Sequence, residues 1–247
     1  MGDQPASVSA TDPLVVAAHD LISALISYFR DKEINEAIFV PLAIFSRMVR
    51  THLATEIFLK EEHPTEASVL TLTQFELRLQ LAYTAYDPKN ATQWVEHEDV
   101  RYLSLNMRDR INSLFKDETE RARLYSIFQN LSGIKHGNPV YSELGFSVRR
   151  SGRTFSISTG YFDDEFSKKL TDIVRLYANY QLAWSSFALY RCIGRYARID
   201  SELGKKIEAQ YRELEGAEVE FLAFLEKIVS GSRSFLGIKG NSEPKPA

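Results

Sequence analysis

Residues 163–193, DDEFSKKLTDIVRLYANYQLAWSSFALYRCI, have the period of one long helix. Apolar and aromatic side chains recur along it every three or four residues: Phe166, Leu170, Ile173, Tyr177, Tyr180, Trp184 and Phe187. A helix with such a continuous, aromatic-rich face has to be covered by other helices. The stretch therefore predicts a central core helix in an all-α protein.

The same helical period recurs on both sides of this stretch. Further helices are predicted at about 11–33, 34–60, 66–86, 98–116, 116–137 and 201–230. Pro41 should kink the second of these or mark a late start, because proline lacks a backbone donor. The last helix has heptad-like apolar spacing, which suits pairing with the helix before it or with a second copy of the chain.

One segment departs from the helical pattern. Residues 145–158, GFSVRRSGRTFSIS, alternate apolar and polar positions around Ser151 and Gly152, as a short β-hairpin does. We therefore predict a single helical-bundle domain over residues 11–230, with about six to seven helices and one hairpin near 144–158. Residues 1–10 and the tail 231–247 have the polar composition of disordered, flexible ends.

Composition limits the class of protein. The chain has 247 residues, is 44% hydrophobic and carries a net charge of −3, so nucleic-acid contact would need a local basic patch. Its single cysteine excludes an internal disulfide and suits a reducing compartment. The polar start does not resemble a secretory signal, and no run of apolar residues long enough to span a membrane stands out. We expect a cytoplasmic protein without a membrane segment.

A polar row lies beside the apolar side of the predicted helix 116–137. It consists of Tyr125, Gln129, Ser132 and His136, at spacings of four, three and four. A histidine at a helix C-terminus could act as an acid or base near neutral pH. Alternatively, Lys135 and His136 only bind the last helix carbonyls before the Gly-Asn-Pro turn.

A second group of polar residues lies on the predicted helix 34–60. It contains Arg47, Arg50, His52 and Glu56. His52 and Glu56 return to the apolar side, where buried polar groups need partners. The group could be an interior site that joins Glu56 to an arginine or to His136, or a structural ion pair that fixes helix register. His52 and Glu56 alone are too few ligands to predict a metal.

Two clusters of arginines could meet phosphate. The hairpin tip carries Arg149, Arg150 and Arg153, and the predicted long helix carries a second set, Arg191, Arg195 and Arg198. Tyr190 and Tyr196 could stack on bases beside that second set. The alternative is a solvated face, or pairing with acids such as those of residues 208–218.

The segments RMVRTHLATEIFL (47–59) and NLSGIKHGNP (130–139) resemble the HEPN superfamily over roughly residues 34–195. This resemblance implies a helical domain that dimerises, in a superfamily that includes RNA-cleaving toxins and defence proteins. HEPN nucleases carry an arginine with four to six residues between it and the histidine. The matching positions here are Gln129, Asn130 and Leu131, and the loss of a guanidinium that grips phosphate counts against cleavage.

Two hypotheses follow, neither with a cofactor or metal. The first is a non-enzymatic HEPN-like interaction module, a homodimer that binds a partner protein or RNA in bacterial stress or phage defence. The second is a metal-independent endoribonuclease in which His136 acts on the ribose 2′-hydroxyl or the leaving group. Its further catalytic candidates are Arg50, Glu56 and Lys135, and its substrate-binding candidates are Gln129, Asn130, Ser132, Arg149, Arg150 and Arg153.

Overall fold

A computed structural model describes residues 13–96, 105–135, 147–151, 154–158 and 164–216 of the chain. These ranges contain eight helices, against the six to seven predicted. They are α1 (Pro13–Phe29), α2 (Glu36–Lys60), α3 (Pro64–Tyr86), α4 (Pro88–Glu96), α5 (Met107–Leu114), α6 (Glu118–Lys135), α7 (Asp164–Ile193) and α8 (201–216). The all-α helical bundle is therefore as predicted, while the predicted ends 1–10 and 231–247 lie outside the described residues.

The β structure of the described ranges is confined to two short strands. β1 (Ser147–Ser151) and β2 (Thr154–Ser158) pair antiparallel, with Val148 opposite Ile157. The two residues between the strands lie outside the described part of the chain.

Helix α7 lies at the centre, where its aromatic stripe places it. It packs against α1, α2 and α3, and Tyr177 and Tyr180 are almost fully buried. Its C-terminal half joins a hydrophobic cluster with α1 and α2, and its middle joins a second cluster with α3, α5 and α6. Tyr211 of α8 packs against both clusters, with its ring 6.2 Å from that of Tyr180 and 5.2 Å from that of Phe187. Over 201–216 the last helix thus pairs with α7 of its own chain.

The third helix ends at Tyr86, as predicted, but the short helix that follows it was not predicted. Asp87 and Pro88 were interpreted only as the end of the third helix, yet α4 begins there, with Asp87 Oδ1 accepting from the backbone N–H of Lys89 at 2.9 Å. The helix expected over 98–116 is α5 in the described residues, and its N-cap Asn106 accepts from the N–H of Asp109. Pro41 lies inside α2, which starts at Glu36, so it does not mark a late start.

By length and composition, α2 could cross a membrane, and half of its most apolar stretch is buried inside the fold. A core helix of a water-soluble bundle passes the same test. The absence of a membrane segment therefore stays a prediction.

Candidate functional site

Tyr125 and Gln129, the first two residues of the polar row on α6, line a groove between α5 and α6. Tyr125 is half-buried, Gln129 is exposed and Ser132 is half-buried. The groove has a volume of about 400 Å³, and its polar lining is formed by Arg108, Asn112, Glu118, Arg121, Tyr125, Ser126 and Gln129. The guanidinium carbon of Arg108 lies 5.5 Å from the centre of the Tyr125 ring. Sequence reasoning identified Tyr125 and Gln129 on the α6 side of this groove and missed its other polar residues.

Several sequence candidates cannot be placed. His136 and Arg153 lie outside the described residues, as do the side chains of Asn130, Lys135, Arg149 and Arg150. Helix α6 ends at Lys135, one residue before His136. The catalytic and substrate-binding roles of these residues stay predictions.

On α2, Arg50 and Glu56 lie in different environments. Arg50 is exposed, whereas the side chain of Glu56 is 13% exposed and makes an ion pair with Arg175 of α7 (Oε2 to Nε, 3.2 Å). Glu56 is thus joined to an arginine, as one hypothesis expected, but to one that sequence analysis had not nominated. The pairing partner comes from 119 positions further along the chain.

His52 lies one turn before Glu56 and is fully buried. Its Nε2 is 2.7 Å from Oδ1 of Asn179, so Nε2 carries the proton and donates to that amide oxygen. From the pair His52–Asn179 to the pair Glu56–Arg175, the α2 residue lies four positions later in the sequence and the α7 residue four positions earlier. The two helices therefore run antiparallel along this contact, and both side chains once considered for a metal are used within it.

Helix α3 continues the same polar contact. In the amide orientation that gives both ends partners, Gln74 donates to the carbonyl of Ala178 at 3.1 Å and accepts from Thr55 Oγ1 at 3.2 Å. Thr55 and Gln74 are fully buried. One amide therefore links α2, α3 and α7.

One turn after Gln74, Arg78 is 0% exposed. Its Nη1 donates to Oε1 of Gln181 at 3.3 Å, and its Nη2 lies 3.8 Å from Oε1 of Glu120. The guanidinium carbon also lies 4.4 Å from the centre of the Trp184 ring and 5.1 Å from that of Tyr180. A buried charge needs such partners. Sequence analysis missed Arg78, although its position between Gln74 and Leu81 on the inner side of α3 signals burial.

We call this set of buried and half-buried groups the polar seam. It comprises His52, Glu56, Gln74, Arg78, Arg175, Asn179 and Gln181. Its members bind each other across three helices. The seam can fix helix register, and in the described part of the chain it does not open onto the α5–α6 groove through any shared residue.

The second predicted arginine set needs a correction. Helix α7 ends at Ile193, and the N–H of Gly194 donates to the carbonyl of Tyr190 at 2.9 Å. Arg191 is therefore on the helix, whereas Arg195 and Arg198 lie in the turn that leads to α8. All three are exposed.

Comparison with known proteins identifies no matching family model, no similar curated protein and no similar solved structure.

Proposed function

We propose that this protein is a HEPN-like helical interaction module that forms a homodimer in bacterial stress or phage defence and does not cleave RNA. The observation that carries the proposal is the polar seam. In the HEPN-like segment, half-buried Glu56 binds Arg175 and fully buried His52 binds Asn179, and the two contacts hold α2 against α7. Glu56, one of the catalytic candidates of the ribonuclease hypothesis, is here engaged in joining α2 to α7.

The outer side of α2 supports an interaction role. Phe39 is 55% exposed and Ile57 is 46% exposed. They are 18 residues apart, which is five helical turns, so they lie on the same side of α2. Exposed Arg50 falls on this side between them. Large apolar side chains with an arginine among them are typical of protein interfaces.

Self-association can be tested by sedimentation velocity over a wide range of protein concentrations. The wild type should dimerise, and Phe39→Glu and Ile57→Glu should dissociate the dimer by placing a carboxylate at the interface. Val95→Glu, at a residue 45% exposed on α4, is the matched control and should remain dimeric. A wild type that stays monomeric at every concentration would refute the homodimer.

The ribonuclease alternative is tested separately. Purified wild type and His136→Ala are incubated with a broad RNA pool without added metal, and His19→Ala, at an exposed residue of α1, serves as control. We expect no cleavage by any of the three proteins. Cleavage by the wild type and by His19→Ala, but not by His136→Ala, would overturn the non-enzymatic proposal and make Arg50→Ala and Lys135→Ala the next variants.

A further inference from the structure

A pocket lies where the chain turns from α7 into α8. It has a volume of about 420 Å³ and is lined by Tyr190, Arg191, Gly194, Ala197, Arg198 and Ile199. With the adjacent Arg195, the three arginines form what we call the arginine corner. We propose that the arginine corner binds a phosphorylated nucleoside unit, with the phosphate between Arg191 and Arg198 and the base beside Tyr190. The proposal rests on neither the homodimer nor the HEPN resemblance.

The charge of the arginine corner favours an anion. Residues 190–199 contain three arginines and no acid. Within the described part of the chain, none of the three makes an ion pair. The nearest acids along the sequence are engaged elsewhere, since Asp200 accepts from the N–H of Glu202 at 2.7 Å and Glu202 pairs with Lys205 at 2.8 Å. The corner is thus locally cationic in a protein of net charge −3.

The chemistry of arginine favours phosphate as that anion. A guanidinium presents a planar set of donors that can bind two phosphate oxygens at once, and two of them line this pocket. Arg191 is also partly positioned, because its guanidinium carbon lies 5.5 Å from the centre of the Phe187 ring. Part of the entropy that Arg191 would lose on binding a ligand is therefore already lost in the free protein.

The aromatic wall of the pocket favours a nucleoside beside the phosphate. The hydroxyl end of the Tyr190 ring lies directly against Gly204 of α8, where an added Cβ would clash with Cζ and Oη of the tyrosine. Glycine at position 204 thus lets α8 pack against the hydroxyl end of Tyr190, while Tyr190 remains half-buried and lines the pocket. Tyr196, which is 37% exposed, offers a second ring nearby in the sequence. A fixed aromatic face next to cations is a common platform for a base.

The pocket also has the size for this ligand. Sites for small molecules range from about 300 to 1,000 Å³ and combine apolar walls with a few polar groups. Here Ala197 and Ile199 supply apolar surface, and the arginines supply the polar groups. The α5–α6 groove differs, because its lining contains Glu118 and two amides beside its arginines. That mixture of donors and acceptors does not select an anion.

The test is direct binding to the full-length chain, measured by calorimetry with AMP, ATP, adenosine, inorganic phosphate and a single-stranded RNA octamer. We expect AMP or the octamer to bind, and Arg191→Ala/Arg198→Ala to weaken that binding at least tenfold. Arg30→Ala/Arg47→Ala removes the same charge from other exposed sites and should change the affinity less than twofold. Tyr190→Leu should weaken binding of the nucleotide, and equal urea midpoints would establish that all variants are folded.

The remaining probes separate the sources of the ligand. Binding of AMP or ATP would identify a free nucleotide, whereas binding of the octamer without AMP would identify RNA, and both outcomes support the shared chemistry. Inorganic phosphate binding as tightly as AMP, or adenosine binding as tightly as AMP, would refute it. So would no binding of any probe at millimolar concentration, or equal weakening by the two double variants, which would indicate nonspecific charge attraction.

Discussion

Arg78 and the arginines of the arginine corner carry the same side chain in opposite environments. Arg78 is 0% exposed and its guanidinium has Gln181, Glu120 and two aromatic rings around it. Arg191, Arg195 and Arg198 are exposed and have no carboxylate within ion-pair distance among the described residues. A buried guanidinium needs partners within the protein, whereas an exposed guanidinium is solvated by water and can bind a ligand. The difference separates arginines that hold the fold from arginines that can bind something else.

The largest expected effect comes from removing the buried guanidinium. Arg78→Ala should lower the free energy of unfolding by about 3–5 kcal/mol, because it leaves Gln181 and Glu120 without their partner and opens a cavity beside Trp184. Arg191→Ala, the exposed counterpart, should change it by less than about 0.5 kcal/mol. Urea unfolding followed by circular dichroism measures both. Similar losses in the two variants would abolish the distinction between the two environments.

The next largest effect on stability is expected at Gly204, which packs against Tyr190 of the pocket. Gly204→Ala should force the Tyr190 ring to move and make the protein less stable than Gly216→Ala by about 1–2 kcal/mol. Gly216 is the matched control, since an added Cβ there meets nothing within 4 Å and alanine favours the helix. Thermal unfolding of the two variants measures the difference. If Gly204→Ala proved the more stable, the tight contact between Tyr190 and Gly204 would not exist in solution.

The ion pair between Glu56 and Arg175 should have a smaller effect on stability than Arg78. The side chain of Arg175 is 35% exposed, so solvent screens its pair with Glu56 more than it screens the contacts of Arg78. A double-mutant cycle of Glu56→Gln and Arg175→Gln should give a coupling energy of about 0.5–1 kcal/mol, smaller than the loss from Arg78→Ala. A coupling energy near zero would mean that this pair does not fix the register of α2 on α7.

The smallest effect is expected at Cys192, which lies beside Arg191 in the sequence and senses the charge of Arg195. Burial raises the pKa of this thiol, which is 8% exposed, and the nearby charge of Arg195 partly lowers it again. Because only the thiolate reacts, the native protein should react slowly with a disulfide reagent near neutral pH and faster as the pH rises. Arg195→Ala removes the lowering charge and should slow the reaction further, whereas Arg30→Ala should not. An unchanged rate in Arg195→Ala would place the exposed charge too far from Cys192 to matter.

The sequence predicted those parts of the fold that a local period determines. The aromatic stripe of α7 identified the core helix, because a helix with such a face has to be covered by other helices. The start of α4 after Asp87 was harder to predict, since the same Asp-Pro pair can end one helix and start the next. A local pattern does not tell these two cases apart.

The partners in the seam could not be predicted for a different reason. Glu56 with Arg175 and His52 with Asn179 are separated by 119 and 127 positions, so the pairing depends on how whole helices align. Sequence analysis did show that Glu56 and His52 face the apolar side and need partners. It missed Arg78, which lies between Leu77 and Leu79 on α3. It also placed Arg195 and Arg198 on α7, which ends before them.

The polar seam also has a consequence for folding during synthesis, because α2 and α3 are made before α7. Helices α2 and α3 are neighbours in sequence and pack together, so they can pair as soon as both have left the ribosome. The residues of α7 that cover them are synthesised about a hundred positions later. Until then, the side that α2 and α3 turn towards α7 carries His52, Glu56 and Arg78 as well as leucines. We expect those polar groups to keep the paired α2 and α3 hydrated and less prone to aggregate until α7 covers them.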